Sequence, residues 1–183
     1  MTFSIKYAKI FNMEQNLGNI ILIGMPACGK STAGVLAAKA LGFGFIDSDL
    51  IIQTKEKRLL SDLLEERGEQ AFIEIENAVN ASIWAERCVI STGGSVVYCE
   101  EAMAHLKQLG KVIYLKLSYS EIEKRLKNVL NNRGVVMREG QSLRALYDER
   151  TPLYEKYADF TVDCENHGVE DTVCAICNYA LNQ

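Results

Sequence analysis

The residues best suited to chemistry come first in Gly24-Met25-Pro26-Ala27-Cys28-Gly29-Lys30-Ser31, a run of the form GxxxxGKS that continues into Thr32. Its glycines let the backbone curl so that successive N–H groups converge on phosphate oxygens, and a helix starting at Lys30 adds the positive end of its dipole. In such a loop the lysine reaches the β- and γ-phosphates and the following hydroxyl ligates magnesium. Gly24, Pro26, Ala27, Cys28, Gly29, Lys30, Ser31 and Thr32 are therefore the candidate ATP-binding residues. A second group, Asp47-Ser48-Asp49, holds two carboxylates at i and i+2. Beside a triphosphate, one carboxylate can hold magnesium while the other orients and deprotonates an attacking hydroxyl. The same three residues also suit a helix N-cap at Ser48 or Asp49, and the two roles are compatible. No Asn-Lys-x-Asp run is present to read guanine, which argues against a switch GTPase.

Positioning these groups requires alternating strands and helices. Short apolar runs at Asn19–Ile23, Phe43–Ile46, Cys88–Ser91, Lys111–Leu117 and Phe160–Val162 read as strands covered on both faces. Helical patterns fill Lys30–Leu41, Gly68–Arg87, Glu101–Leu109, Tyr119–Leu130, Leu143–Tyr157 and Val169–Leu181. The expected class is α/β, a three-layer α/β/α open parallel sheet of five strands in the P-loop NTPase fold. Residues 1–18 read as an N-terminal extension and 19–183 as a single domain. The polar, glycine-punctuated stretch Asn131–Gln141 is the one candidate lid, and it equally fits an ordinary surface loop too charged to be core.

The 183 residues suit one compact domain, and 48% hydrophobic with 24% charged residues is ordinary for a globular chain. A net charge of −4 leaves no cationic excess for a nucleic-acid backbone. No apolar run approaches the roughly 18 residues of a membrane span. The six cysteines read as reduced thiols of a cytoplasmic protein rather than a disulfide framework. Cys164, His167, Cys174 and Cys177 are zinc ligands by type, although Cys174 and Cys177 fall at helical spacing suited to a core. Cys28 reads as a small residue in the loop or as a thiolate favoured by Lys30 and the converging amides. His105 reads as a surface or packing residue, and Trp84 and the tyrosines as packing residues.

Taken in order, GMPACGKST, Phe45-Ile46-Asp47-Ser48-Asp49, Gly68-Glu69 with Phe72 and Glu76, Ser91-Thr92-Gly93-Gly94, Arg133, and Glu149-Arg150-Thr151-Pro152-Leu153-Tyr154 resemble the shikimate kinase family over roughly Asn19 to Asp163. The resemblance implies a magnesium-dependent kinase that uses ATP to phosphorylate a ring hydroxyl of shikimate. It implies that Asp47 holds magnesium with Ser31, and that Lys30, Asp49 and Arg133 are catalytic, with Asp49 the base and Arg133 swinging in with the lid against the nucleotide. It also implies that Asp49, Gly93, Gly94, Ser95, Ile73, Glu76 and Arg150 form the acceptor site, with Gly93 and Gly94 offering backbone N–H groups and Arg150 gripping a carboxylate. Out of that context, Arg150 reads as a surface arginine paired with Glu149 or Asp148. The expected partners are ATP and a small hydroxylated substrate, with no nucleic acid, no membrane and a monomeric chain.

Three positions depart from the family pattern. Ile73 stands where the family has an arginine that shares the acceptor carboxylate, Ser95 replaces its third glycine, and Gly134 replaces the proline after the lid arginine. Losing one charge-assisted hydrogen bond of about 1.5 to 3 kcal/mol weakens a carboxylate acceptor roughly ten- to a hundredfold. One alternative acceptor is a hydroxy-amino acid such as homoserine, whose carboxylate would meet Arg150 and whose ammonium would meet Glu76. Another alternative is a nucleotide-binding regulatory protein without turnover.

Overall fold

The computed structural model describes residues 18–127, 135–138 and 140–182. Five strands, β1 (Asn19–Ile23), β2 (Gly44–Asp47), β3 (Cys88–Ser91), β4 (Gly110–Lys116) and β5 (Phe160–Asp163), form one sheet in the order β2-β3-β1-β4-β5. Every pairing is parallel, with Ile21 opposite Ile90 on one side and Val112 on the other. Helices α1 (Lys30–Leu41), α2 (Ser48–Glu56), α3 (Leu60–Ala81), α4 (Glu100–Leu109), α5 (Tyr119–Lys127) and α6 (Leu143–Tyr157) carry the crossovers, and α7 (Val169–Leu181) follows the last strand. All five residues of β1 are buried, which is why this strand reads as NIILI rather than as an alternating pattern.

The chain builds β2 and β3 on one side of β1 and then crosses to β4 and β5 on the other. The carboxyl ends of the strands at such a reversal leave a crevice where open α/β sheets bind ligands. The ends of β1, β2 and β3 deliver Gly24, Asp47 and Thr92 there. The main core surrounds the sheet. A smaller apolar cluster, Ile52, Leu63, Phe72, Val79 and Val136, supports the side of the crevice formed by α2 and α3.

Several elements differ from the sequence expectation. Of helix α2 the sequence offered only an N-cap, because its nine residues bury only Ser48 and Ile52 and show no continuous apolar face. Helix α3 starts eight residues earlier than expected and contains Gly68 at φ 76°, ψ 174°, so two helical arms meet at that glycine. Within the expected lid, residues 131–134 and 139 lie outside the described residues, and with them Arg133 and Gly134. The stretch is not wholly surface: Val136 is buried in the smaller core, because an apolar side chain there covers Phe72 and its neighbours. Trp84 is 81% exposed and packs only edge-on against His105, contrary to its reading as a packing residue. His105 is held by a hydrogen bond from Nε2 to the Ile83 carbonyl (2.7 Å). All six cysteines are free; Cys174 is exposed rather than in the core, and no metal-binding cluster of His, Cys, Asp or Glu occurs among the described residues. Among those residues no helix is long and apolar enough to cross a membrane.

Candidate active site

The phosphate-binding loop is built mainly from backbone. Gly24 leaves β1 at φ 146°, and a β-carbon there would lie 2.7 Å from the Leu115 carbonyl oxygen. Ala27 at φ 63° and Gly29 at φ 102° turn the chain through left-handed conformations, and Cys28 N donates to Met25 O (3.2 Å) to close the turn. Gly29 caps α1 with no side-chain hydrogen bond, and the first helical turn has no acidic residue, so the helix presents its amides to an anion. Lys30 is buried, with Nζ donating to the carbonyls of Gly24 (2.8 Å) and Met25 (3.0 Å), and 3.8 Å from Cys28 Sγ. The lysine therefore holds the loop in shape before any phosphate arrives.

At the end of β2, Asp47 caps α2 by accepting a hydrogen bond from Asp49 N on Oδ1 (3.1 Å). The cap is therefore Asp47, not Ser48 or Asp49 as the sequence suggested, because its carboxylate reaches the Asp49 amide and so fixes the two carboxylates relative to each other at the start of the helix. Ser31 Oγ lies 3.3 Å from Ser91 Oγ, and Thr92 ties the end of β3 to β1 through Oγ1 and N, both donating to Leu22 O. Asp47, Asp49, Ser31 and Lys30 all line one cavity of about 420 Å³.

The far wall of that cavity comes from α3, the turn after β3, and α6, which contribute Phe72, Glu76, Gly93, Gly94, Ser95 and Arg150. Gly93 is spaced too tightly for a side chain: a β-carbon would collide with Glu76 Oε1 and lie 2.9 Å from Asp49 Oδ1. At Gly94 it would meet Pro26 at 2.8 Å and Arg150 Nη1 at 3.3 Å. The Gly93 amide donates to the buried Ser48 hydroxyl (3.3 Å), so it is committed within the protein rather than left for a ligand as the sequence suggested. The reason is the early start of α2, which carries Ser48 under the turn.

Arg150 is only 1% exposed, so it is no surface arginine; Glu149 pairs instead with Arg138 and Asp148 with Arg144. Its Nη2 donates to Val136 O (2.8 Å) and its Nε to Tyr98 Oη (3.3 Å), with the guanidinium over the Tyr98 ring. Tyr98 in turn donates to Glu149 Oε1 (2.8 Å), and Tyr154 donates to Gly94 O (2.5 Å) while stacking on Tyr114. The supporting role of Tyr98 went unseen because it lies in no motif, and that of Ser48 because its place between Asp47 and Asp49 implies a helix cap and not a bond from the Gly93 amide.

Glu76 is fully buried, and neither carboxyl oxygen has a hydrogen-bond partner. Burial pushes its carboxyl up to about 7, opposed by the nearby Ser95 side chain, raised further by Asp49, and opposed again by Arg150 and Lys30. A second cavity of about 420 Å³ lies behind the phosphate loop and shares Ala27, Gly29 and Thr32 with the first. Arg125, Cys28, Cys164 and His167 line it, which gives Cys164 and His167 a setting unrelated to zinc.

Comparison with known proteins bears on this pair of cavities. The sequence model of the family described as Shikimate kinase matches residues 26–179, most of the chain. The chain belongs to the shikimate kinase family. It is 39% identical over 150 residues to a shikimate kinase of Thermodesulfovibrio yellowstonii, covering 80% of this chain and 86% of that protein. A shikimate kinase of Parabacteroides distasonis is 37% identical over 165 residues, covering 87% and 95%. Among solved structures, a shikimate kinase from Acinetobacter baumannii in complex with shikimate superposes with a TM-score of 0.82 at 31% identity, covering 91% of this chain and 94% of that one. The five-stranded parallel sheet is the fold of these family members.

Within this family site, the altered position Ile73 does not line the cavity, contrary to its expected place in the acceptor site. Its side chain packs between the two cores, and its carbonyl accepts from Cys99 Sγ (3.5 Å). The cavity is apolar there because of Phe72, one residue earlier on α3. Ser95 does line the cavity, with its side chain buried close to Glu76.

Proposed function

We propose that this chain transfers the γ-phosphoryl group of ATP to a hydroxyl of shikimate, yielding shikimate 3-phosphate and ADP. The observation that carries the reading is that Asp49 and the phosphate-binding loop line the same cavity, opposite the buried guanidinium of Arg150. Arg150 receives the acceptor's carboxylate, Asp49 holds the reacting hydroxyl and takes its proton, and Lys30 exchanges its two carbonyl contacts for phosphate oxygens. Phosphoryl transfer requires mainly positioning and charge neutralisation, and the rigid loop and capped α2 supply the positioning.

The corner formed by Ser31 and Asp47 offers a hydroxyl and a carboxylate, both hard oxygen donors. That set fits magnesium, which is held by one or two carboxylates together with phosphate oxygens and water. When bound, magnesium supplies charge neutralisation on the phosphate oxygens. The second cavity, with Arg125, Thr32 and His167 beside the loop, is the side on which the nucleoside of ATP is accommodated. Arg133, by the family resemblance, would neutralise charge on the transferred group.

The test is ADP release measured with ATP, magnesium and a panel of acceptors that includes shikimate and homoserine. Turnover on shikimate that Asp49→Ala removes, while an ATP analogue still binds, is the expected result. Turnover on homoserine alone, or none on any acceptor, would overturn the reading.

A further inference from the structure

Three carboxylates line the cavity; Asp47 sits on the phosphate side with Ser31, and the other two, Asp49 and Glu76, are not equivalent. Asp49 stands at the start of α2 beside the phosphate loop, where a base must be ionised to accept a proton. Glu76 lies on α3, 0% exposed, with neither oxygen in a close hydrogen bond, and the nearby Ser95 side chain is the polar group that most favours its charged form. Gly93 is the floor between them, and a β-carbon there would touch both. Every charged or titratable group facing Glu76 bears on its state: Asp49 from α2 and Cys99 from the start of α4 oppose its ionisation. Arg150 from α6 and Lys30 from α1 favour it, and Tyr154 from α6 faces it as a neutral phenol. No ion pair joins Glu76 to either cation among the described residues, because Arg150 is turned to Val136 O and Tyr98 and Lys30 to the loop carbonyls. When two carboxylates share a desolvated site, one is held neutral, and here the unpartnered one is Glu76.

The consequence concerns the acceptor's own charge, and it rests on the reading that the acceptor is a carboxylate. Arg150 Nη1 borders Gly94 and Glu76 Oε1 borders the adjacent Gly93, so an anion drawn to Arg150 arrives beside Glu76. An ionised Glu76 would repel it, whereas a carboxylic acid can donate to it. We propose that Glu76 is a specificity-determining residue that meets the acceptor as a neutral carboxylic acid and donates its hydrogen bond to the acceptor's carboxylate alongside Arg150. No proton leaves Glu76 in this step; the O–H bond persists and the acceptor's oxygen accepts it. A neutral donor thus supplies the second contact to the carboxylate, for which α3 provides no cation. It also disfavours an acceptor that places an ammonium there.

Titration calorimetry of shikimate binding, run in two buffers of different ionisation enthalpy, reads this directly. At pH 8 the free side chain is mostly ionised and must be protonated for binding, so the wild type takes up about one proton per acceptor bound. Glu76→Gln, a permanently neutral amide, removes that uptake. In steady state the wild-type KM for shikimate rises by about tenfold per pH unit above neutrality, whereas the KM of Glu76→Gln stays level. Proton release on binding, no uptake at pH 8, or the same uptake in Glu76→Gln would overturn the proposal. Shikimate turnover with a level wild-type KM overturns it while leaving the proposed function standing. Absence of shikimate binding and turnover overturns both.

Discussion

The two ends of the active cavity are made in different ways. The phosphate loop is local: eight consecutive residues hold their shape through backbone conformation and one lysine that caps two carbonyls of its own loop. The acceptor end is assembled from α2, α3, the turn after β3 and α6, so residues 49, 76, 93 and 150 meet only when the fold is complete. Local construction tolerates change elsewhere in the chain and keeps nucleotide binding constant. Distributed construction lets single side chains alter the acceptor site without disturbing the loop, and Ser95 and Glu76 both fall in that half.

If this division is correct, substitutions in the acceptor half alter turnover while leaving the affinity for an ATP analogue within about twofold. The largest effect belongs to Asp49→Asn, which removes the proton acceptor and lowers kcat by about 10² to 10⁴; single-turnover and nucleotide-binding measurements together check it. Next is Arg150→Met, which keeps an apolar stem in the buried position but removes the guanidinium. The acceptor KM is expected to rise roughly ten- to a hundredfold in initial-rate assays. Then comes Glu76→Gln, read in the stability of the unliganded protein. The unfolded carboxyl ionises near 4.5, but the folded one stays protonated to about 7. The folded state therefore binds the extra proton between those values, and wild-type stability falls as pH rises through that window. Glu76→Gln escapes this loss, so its advantage in chemical denaturation grows from pH 5 to pH 8, to at most about 3 kcal/mol. The smallest effect is that of Tyr98→Phe, which deletes the hydroxyl between Arg150 and Glu149 and raises the acceptor KM by about two- to fivefold with kcat unchanged.

The same division explains what could be read from the sequence. The loop was legible because its chemistry and its geometry occupy the same consecutive residues, and β1 because its five residues are all apolar or, like Asn19, buried by hydrogen bonds to Ala85 and Leu109. Asp49 and Glu76 were legible as candidates, but their relation was not, since 27 residues and a helix kinked at Gly68 separate them. Arg150 illustrates the limit most plainly. Flanked by Asp148 and Glu149 it has a ready surface reading, and only the packing of α6 turns it inward onto Val136 O and Tyr98. Conversely, the apolar character of Ile73 was evident while its direction was not, because successive helical residues point about 100° apart, and here residue 72 meets the cavity and residue 73 the core.

The central claim, that both ends of the cavity serve one transfer reaction, is tested most directly by following the wild-type chain with ATP, magnesium and shikimate by phosphorus NMR. The account predicts that the γ-phosphate resonance declines as a phosphomonoester resonance grows in equal amount, and that omitting shikimate stops both changes. A γ-phosphate that is lost only to inorganic phosphate, or that persists with shikimate bound, would contradict it.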